Sequence, residues 1–304
     1  MTAGVPTSTS AVRAVETPFQ RIVSDFCANP VAVFGLALLG VILFLALFAP
    51  WLSPQNPYDL AQLDVMDSRL PPGSKNPAGG TFWLGTDDQG RDMWSAILYG
   101  LRISLSVGVI ATVLALVIGL AAGLPAAYFG GRTEALIMRI VDIQLSFPAI
   151  LIALILIAVL GQGTSKVIIA LITVQWAYYA RTVRGAALVE KRKEYVEAAR
   201  CLALSPGRIV FRHLLPNCLP PMIVVATVQV AAAITLEATL SFLGLGLPIT
   251  EPSLGLLISN GYQYLLSGKY WISFFPGIAL LLTIVSINLV ADQLRDVLNP
   301  RLQR

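Results

Sequence analysis

The feature that most constrains this chain is a succession of apolar runs of about twenty residues, such as PVAVFGLALLGVILFLALFAPWL (30–52) and RISLSVGVIATVLALVIGLAAGLPAAYF (102–129). A helix needs about 20 apolar residues to cross roughly 30 Å of hydrocarbon. Runs this long and uniformly apolar are unlike the alternating ten-residue strands of a barrel, so they imply helices whose backbone polar groups are satisfied internally. Charged residues make up only 12% of the 304 and the mean hydropathy is +0.74, against about 25% charged in soluble domains. The fold class expected is an all-α polytopic membrane protein.

Six spans are expected, at 31–52, 103–129, 136–160, 167–188, 220–243 and 271–290. Asn29-Pro30 is a good start for the first, a capping side chain followed by proline at the first helical position. Residues 53–101, rich in Pro, Gly, Asn and Asp, form an extramembrane segment, and 244–270 form a loop. The whole divides into a polar tail (1–30), a first span (31–52), an outer segment (53–101), a core of five further helices (102–294) with an insert at 190–217, and a short tail (295–304). No cleavable signal pattern is present at the start of the chain. Placing both termini in the cytoplasm puts fifteen of the 21 Lys and Arg on that side and six outside, the direction of the positive-inside bias. The net charge of +4 therefore reflects orientation rather than nucleic-acid binding. Cys27, Cys201 and Cys218 have no metal-ligand spacing and fit free thiols.

The insert, EYVEAARCLALSPGRIVFRHLLPN (194–217), is charged, basic and predicted to form two short amphipathic helices. Tyr195, Ala198, Ala199 and Leu202 recur at helical spacing in the first. Ser205-Pro206 starts the second, which carries Ile209, Val210 and Leu214 and is expected to stop near Pro216. Such a knob suits docking in a groove of a protein partner; a basic helix lying on lipid is the alternative.

At these residues the chain resembles a family. Glu197-Ala198-Ala199, a small residue at Ala203 and Leu215-Pro216 after a fixed gap are similar to the EAA loop of the membrane subunits of binding-protein-dependent ABC importers. LGTDDQGRDMWSAILYGLRISL (84–105), RIVDIQLSFP (139–148), ARTVRG (180–185) and EATLSFLGLG (237–246) resemble the dipeptide and oligopeptide permease branch, the DppC-like subunits, as does the RHLLPN form of the loop. Glycine is usual where Ala203 stands. The resemblance implies a type I importer permease fold whose EAA loop (Glu197, Ala198, Ala199, Leu202, Ala203, Leu215, Pro216) is the coupling helix of an ATPase. It implies a homologous second permease as heterodimer partner, two ABC ATPase subunits binding ATP and Mg, and an extracytoplasmic binding protein. The solute would be a peptide, or a relative such as glutathione, an opine or a nickel chelate.

No G-x-x-x-x-G-K-[ST] phosphate loop is present, and a lone histidine, His213, speaks against a His-based metal site. No nucleophile–base pattern points to an enzyme. A self-contained channel or secondary transporter would be expected to show an internal repeat or paired broken helices, and neither is visible. Two ionisable residues fall within spans, Asp142 and Glu237. Such groups face a cavity or a partner, so Glu237 either lines the pathway or fixes packing by an interhelical hydrogen bond. For Asp142 packing is favoured, with Arg139 as the nearby cation.

Overall fold

A computed structural model describes residues 18–59, 63–75 and 79–298; most of both expected tails lies outside the described residues. Apart from two-residue strands β1 (Ser74–Lys75) and β2 (Thr81–Phe82), paired antiparallel, and short 3-10 turns, the regular structure described is helical. Helix α1 (Pro18–Cys27) precedes α2 (Pro30–Leu47), which starts as expected: Asn29 Oδ1 accepts from Val31 N at 3.0 Å, with Pro30 in the first turn. The apolar run then breaks at Phe48, and α3 (Ala49–Leu52) is a separate turn. Pro50 accounts for this, since it has no N–H for the preceding turn and its ring crowds the carbonyl four residues back.

Helix α4 (Met93–Phe129) has 37 residues, about 55 Å at 1.5 Å per residue. It begins ten residues before the expected span because Asp92 caps it, accepting from Ser95 N at 2.8 Å. The expected third span is two helices, α5 (Gly131–Leu145) and α6 (Ala149–Leu160), bent by 88°. Pro148 again explains the break, because it disfavours helical backbone at Phe147 and cannot donate. α7 (Thr164–Glu190) follows.

The insert holds α8 (Glu194–Cys201) and α9 (Pro206–Ile209). The second insert helix does not stop at Pro216. It widens into a π-turn at Val210–Leu214 and runs on as α10 (Leu215–Phe242), with Pro216 in the first turn. The wider turn shifts the bonding register just where the proline lacks its N–H, so the helix continues. The expected loop 244–270 contains α11 (Leu254–Tyr262), which packs on α12 (Trp271–Val297).

Among the described residues, four helices are long and apolar enough to cross a membrane: α2, α4, Pro206–Phe242 and α12. The bent α5–α6 pair makes five. α7 has the length, but Gln175, Tyr178, Tyr179 and Arg181 interrupt its apolar run, so by length and composition four or five of the six expected spans qualify among the described residues. α7 is instead the best-packed partner of α4. Gly119 and Gly123, in the sequence GLAAG, let the two backbones approach: a Cβ at Gly119 would lie 2.3 Å from Tyr179 Cβ, and one at Gly123 2.6 Å from Ala180 O. Small residues four apart allow this close approach in membrane helices generally.

Candidate functional site

The insert is built onto the adjoining ends of α4 and α7. Val196, Ala199, Ile209, Val210 and Leu214 are buried in one cluster with Leu124 and Ala127 of α4 and Val183 and Ala187 of α7. Lys191, just past α7, donates through Nζ to Ala127 O at 2.9 Å and Tyr128 O at 2.7 Å, capping the C-terminal carbonyls of α4 with a cation. Burial and the nearby Arg200 push the Lys191 ammonium down, against the pull of Glu134. The Tyr128 ring lies 5.7 Å from the Arg200 guanidinium.

Glu190 is a second tie, accepting from Lys193 Nζ and from the Tyr195 hydroxyl, both at 2.6 Å. Desolvation and that carboxylate push the Tyr195 phenol up. The insert is thus clamped to the bundle at its base.

Its outer surface is free. The buried face of α8 is Val196 and Ala199, not the whole expected stripe: Tyr195, Ala198 and Leu202 are exposed, Leu202 at 75%. Glu197 is also exposed. The helix presents one apolar face to its own bundle and a second to the outside. Leu215 is half-buried and Pro216 exposed at the start of α10.

α8 ends in a Schellman turn. Leu204 N donates to Ala199 O at 3.2 Å and Ala203 N to Arg200 O at 2.9 Å, with Ala203 at φ +51°. A left-handed alanine costs about 1–2 kcal/mol, and glycine's extra freedom in the unfolded chain returns roughly 0.5–1 kcal/mol of that. Ala203→Gly is therefore expected to firm the turn by about 0.5 kcal/mol. The reading is slower hydrogen exchange at the Leu204 amide; faster exchange contradicts it.

The two carboxylates expected within spans have different surroundings. Glu237 is fully buried and accepts from Ser104 Oγ of α4 at 2.9 Å and from Ser241 Oγ at 2.8 Å, so it joins α10 to α4. Asp142 pairs with Arg181 of α7 and not with Arg139, on a solvent-accessible surface where both side chains are more than half exposed. The correction follows from the packing of α5 along α7, which also pairs Glu134 with Arg184. The insert and these carboxylates are separate features. The polar face of α7 was the signal missed in sequence, present in the run VQWAYYARTVR (174–184).

Residues 115–304 match the model of the family described as binding-protein-dependent transport system inner membrane component. Residues 17–72 match the N-terminal TM domain of oligopeptide transport permease C. The chain is 40% identical over 289 residues, 95% of each chain, to the dipeptide transport system permease protein DppC of Escherichia coli K12. It is 37% identical over 288 residues, 94% of this chain and 93% of the relative, to the di/tripeptide transport system permease protein DppC of Pseudomonas aeruginosa UCBPP-PA14. A solved structure of an inward-facing conformation of the MetNI methionine ABC transporter superposes with a TM-score of 0.56 over 67% of this chain and 97% of that one, at 24% identity.

Proposed function

The chain belongs to the family of binding-protein-dependent transport system inner membrane components, and on that footing we propose that it is one of two homologous permeases forming a heterodimer in a peptide importer. It is the multi-pass permease of a binding-protein-dependent ABC peptide transporter in the inner membrane, non-catalytic itself, with ATP bound by separate ATPase subunits and solute delivered by a binding protein. In this reading α7 crosses as a sixth span despite its polar residues, because its packing against α4 and α5 shields much of it from lipid. The termini and the insert are cytoplasmic, as the charge bias favours.

The insert is the coupling element. The observation that carries this role is the two-faced α8: Val196 and Ala199 are locked into the α4–α7 end while Ala198, Leu202 and Glu197 are left exposed. A helix that is rigidly based and apolar on its outer side transmits a push from a soluble partner into the bundle. Closure of the two ATPases then swings the spans between inward-open and outward-open states.

The test is cysteine crosslinking from Ala198→Cys in the assembled transporter, paired with peptide uptake by Leu202→Asp. The proposal expects a crosslink to the ATPase subunit and at least a tenfold loss of uptake per ATP hydrolysed. Absence of the crosslink with full uptake in the aspartate variant would reject it.

A further inference from the structure

Between α6, α7 and α10 lies a groove of about 590 Å³ whose polar lining is Gln175, Tyr178, Gln229, Thr235 and Thr239. The rest of its wall is aliphatic, and no charged side chain lines it. The nearest charged pair in sequence on this side, Asp142–Arg181, lies three residues beyond Leu145 and Tyr178 of the lining.

The polar groups fall into two classes. Gln175 is committed, its Nε2 donating to Gln229 O at 3.1 Å and its Oε1 accepting from Thr112 Oγ1 at 3.3 Å. The Thr235 and Thr239 hydroxyls donate back to Ala231 O and Thr235 O, at 2.8 and 2.7 Å, which leaves their oxygens able to accept. The side-chain amide of Gln229 and the hydroxyl of Tyr178, a residue 47% exposed, have no hydrogen-bond partner among the described residues.

Unsatisfied amides and hydroxyls within a bilayer are tolerated where they line water or meet a partner. The exposed face of α4 shows what a lipid-facing surface of this chain looks like: Val109, Val113 and Val117 carry no polar atom beyond the backbone. The groove differs in kind.

We infer that this groove is the chain's half of the solute conduit, and that it holds a peptide by its main-chain amides, through Gln229 and Tyr178, without regard to the charge of the peptide's side chains. This rests on the reading of the chain as a peptide permease. A glutamine amide offers one donor and one acceptor group, the complement of a peptide unit, and the threonine oxygens add acceptors for N–H. A neutral lining neither traps nor repels acidic or basic residues, so a solute selected elsewhere passes at a rate set by its backbone.

The experiment uses the assembled transporter in proteoliposomes, with acidic, neutral and basic dipeptides at saturating binding protein, and uptake normalised to the ATPase rate of the same preparation. Wild type is expected to carry the three at maximal rates within threefold of one another. Gln229→Glu should slow the acidic peptide at least tenfold relative to the neutral one, and Gln229→Leu should slow all three alike, about fivefold. Wild-type ratios retained in Gln229→Glu would overturn the inference.

A second measurement needs no substrate. In a background of Cys27→Ser, Cys201→Ser and Cys218→Ala, Thr239→Cys in the assembled complex should react with a charged, membrane-impermeant thiol reagent in at least one nucleotide state. Protection in every state means that lipid or the second subunit fills the groove, and the inference fails. A wild-type transporter that carries no dipeptide at all, yet labels at Thr239→Cys, removes the grip on peptide main chain and with it the inference; the peptide reading falls separately, on the uptake alone.

Discussion

Gly123→Val is expected to force α4 away from α7 and to cost about 3 kcal/mol or more, at the upper end of overpacking penalties. A Cβ at this position meets Ala180 O at 2.6 Å and Val183 Cβ and Cγ1 at 2.9 Å. The carbonyl belongs to the helix backbone and cannot rotate aside, so relief requires the two axes to part. The same axes carry the base of the insert, through Leu124, Val183, Ala187 and the Lys191 bonds to α4. Loss of fold stability and loss of ATPase binding should therefore appear together. Gly185→Ala is the matched control on α7: nothing lies within 4 Å of its added Cβ, and helix propensity favours alanine by about 1 kcal/mol. Unfolding in mixed micelles reads both variants. A Gly123→Val protein as stable as wild type would mean that the helices are not in contact at this point.

The membrane class and the insert were legible in the sequence because each is local. An apolar run of twenty residues states its own solvent, and the 190–217 segment contrasts with everything around it. What stayed hidden is set by contacts far apart in the chain. Glu237 meets Ser104 across 133 positions, and nothing near Glu237 reveals whether a serine or a cavity faces it. Asp142 was paired with Arg139 by proximity in sequence, whereas the packing of α5 on α7 selects Arg181, 39 positions away. Pro216 looked like a stop because a proline inside a regular helix clashes with the turn before it. The π-turn that avoids the clash has no sequence signature of its own. The buried face of α8 was misplaced for a related reason. Its periodicity marks an apolar stripe but not which part of that stripe belongs to the chain's own core, and Val196 lies at the edge of it.

Arg91→Leu is expected to loosen the segment ahead of α4 by about 3–5 kcal/mol, the range for removing one partner of a buried ion pair. Arg91 and Asp87 are both fully buried and joined at 2.6 Å from Nε to Oδ2. Asp87 Oδ1 also accepts from the backbone of Gln89 and Arg91, each at 2.9 Å, and Arg91 Nη1 reaches Ile249 O at 3.3 Å in the segment before α11. The pair thus clips two stretches of chain together at the end of the bundle away from the insert. Gly90 leaves no room for slack, since a Cβ there would sit 2.2 Å from Asp64 O. With arginine gone, the Asp87 carboxylate keeps two backbone donors but loses its counter-charge in a site closed to water. Removing the charge of both partners, as in Arg91→Leu with Asp87→Asn, should recover at least half of the loss, because the penalty comes from an uncompensated charge more than from a missing attraction. Hydrogen exchange over residues 84–92 measures the opening directly: protection should fall by two to three orders of magnitude in the single variant, as about 1.4 kcal/mol per tenfold requires, and return in large part in the double. Equal exchange in the single and double variants would show that the pair contributes packing and not charge balance.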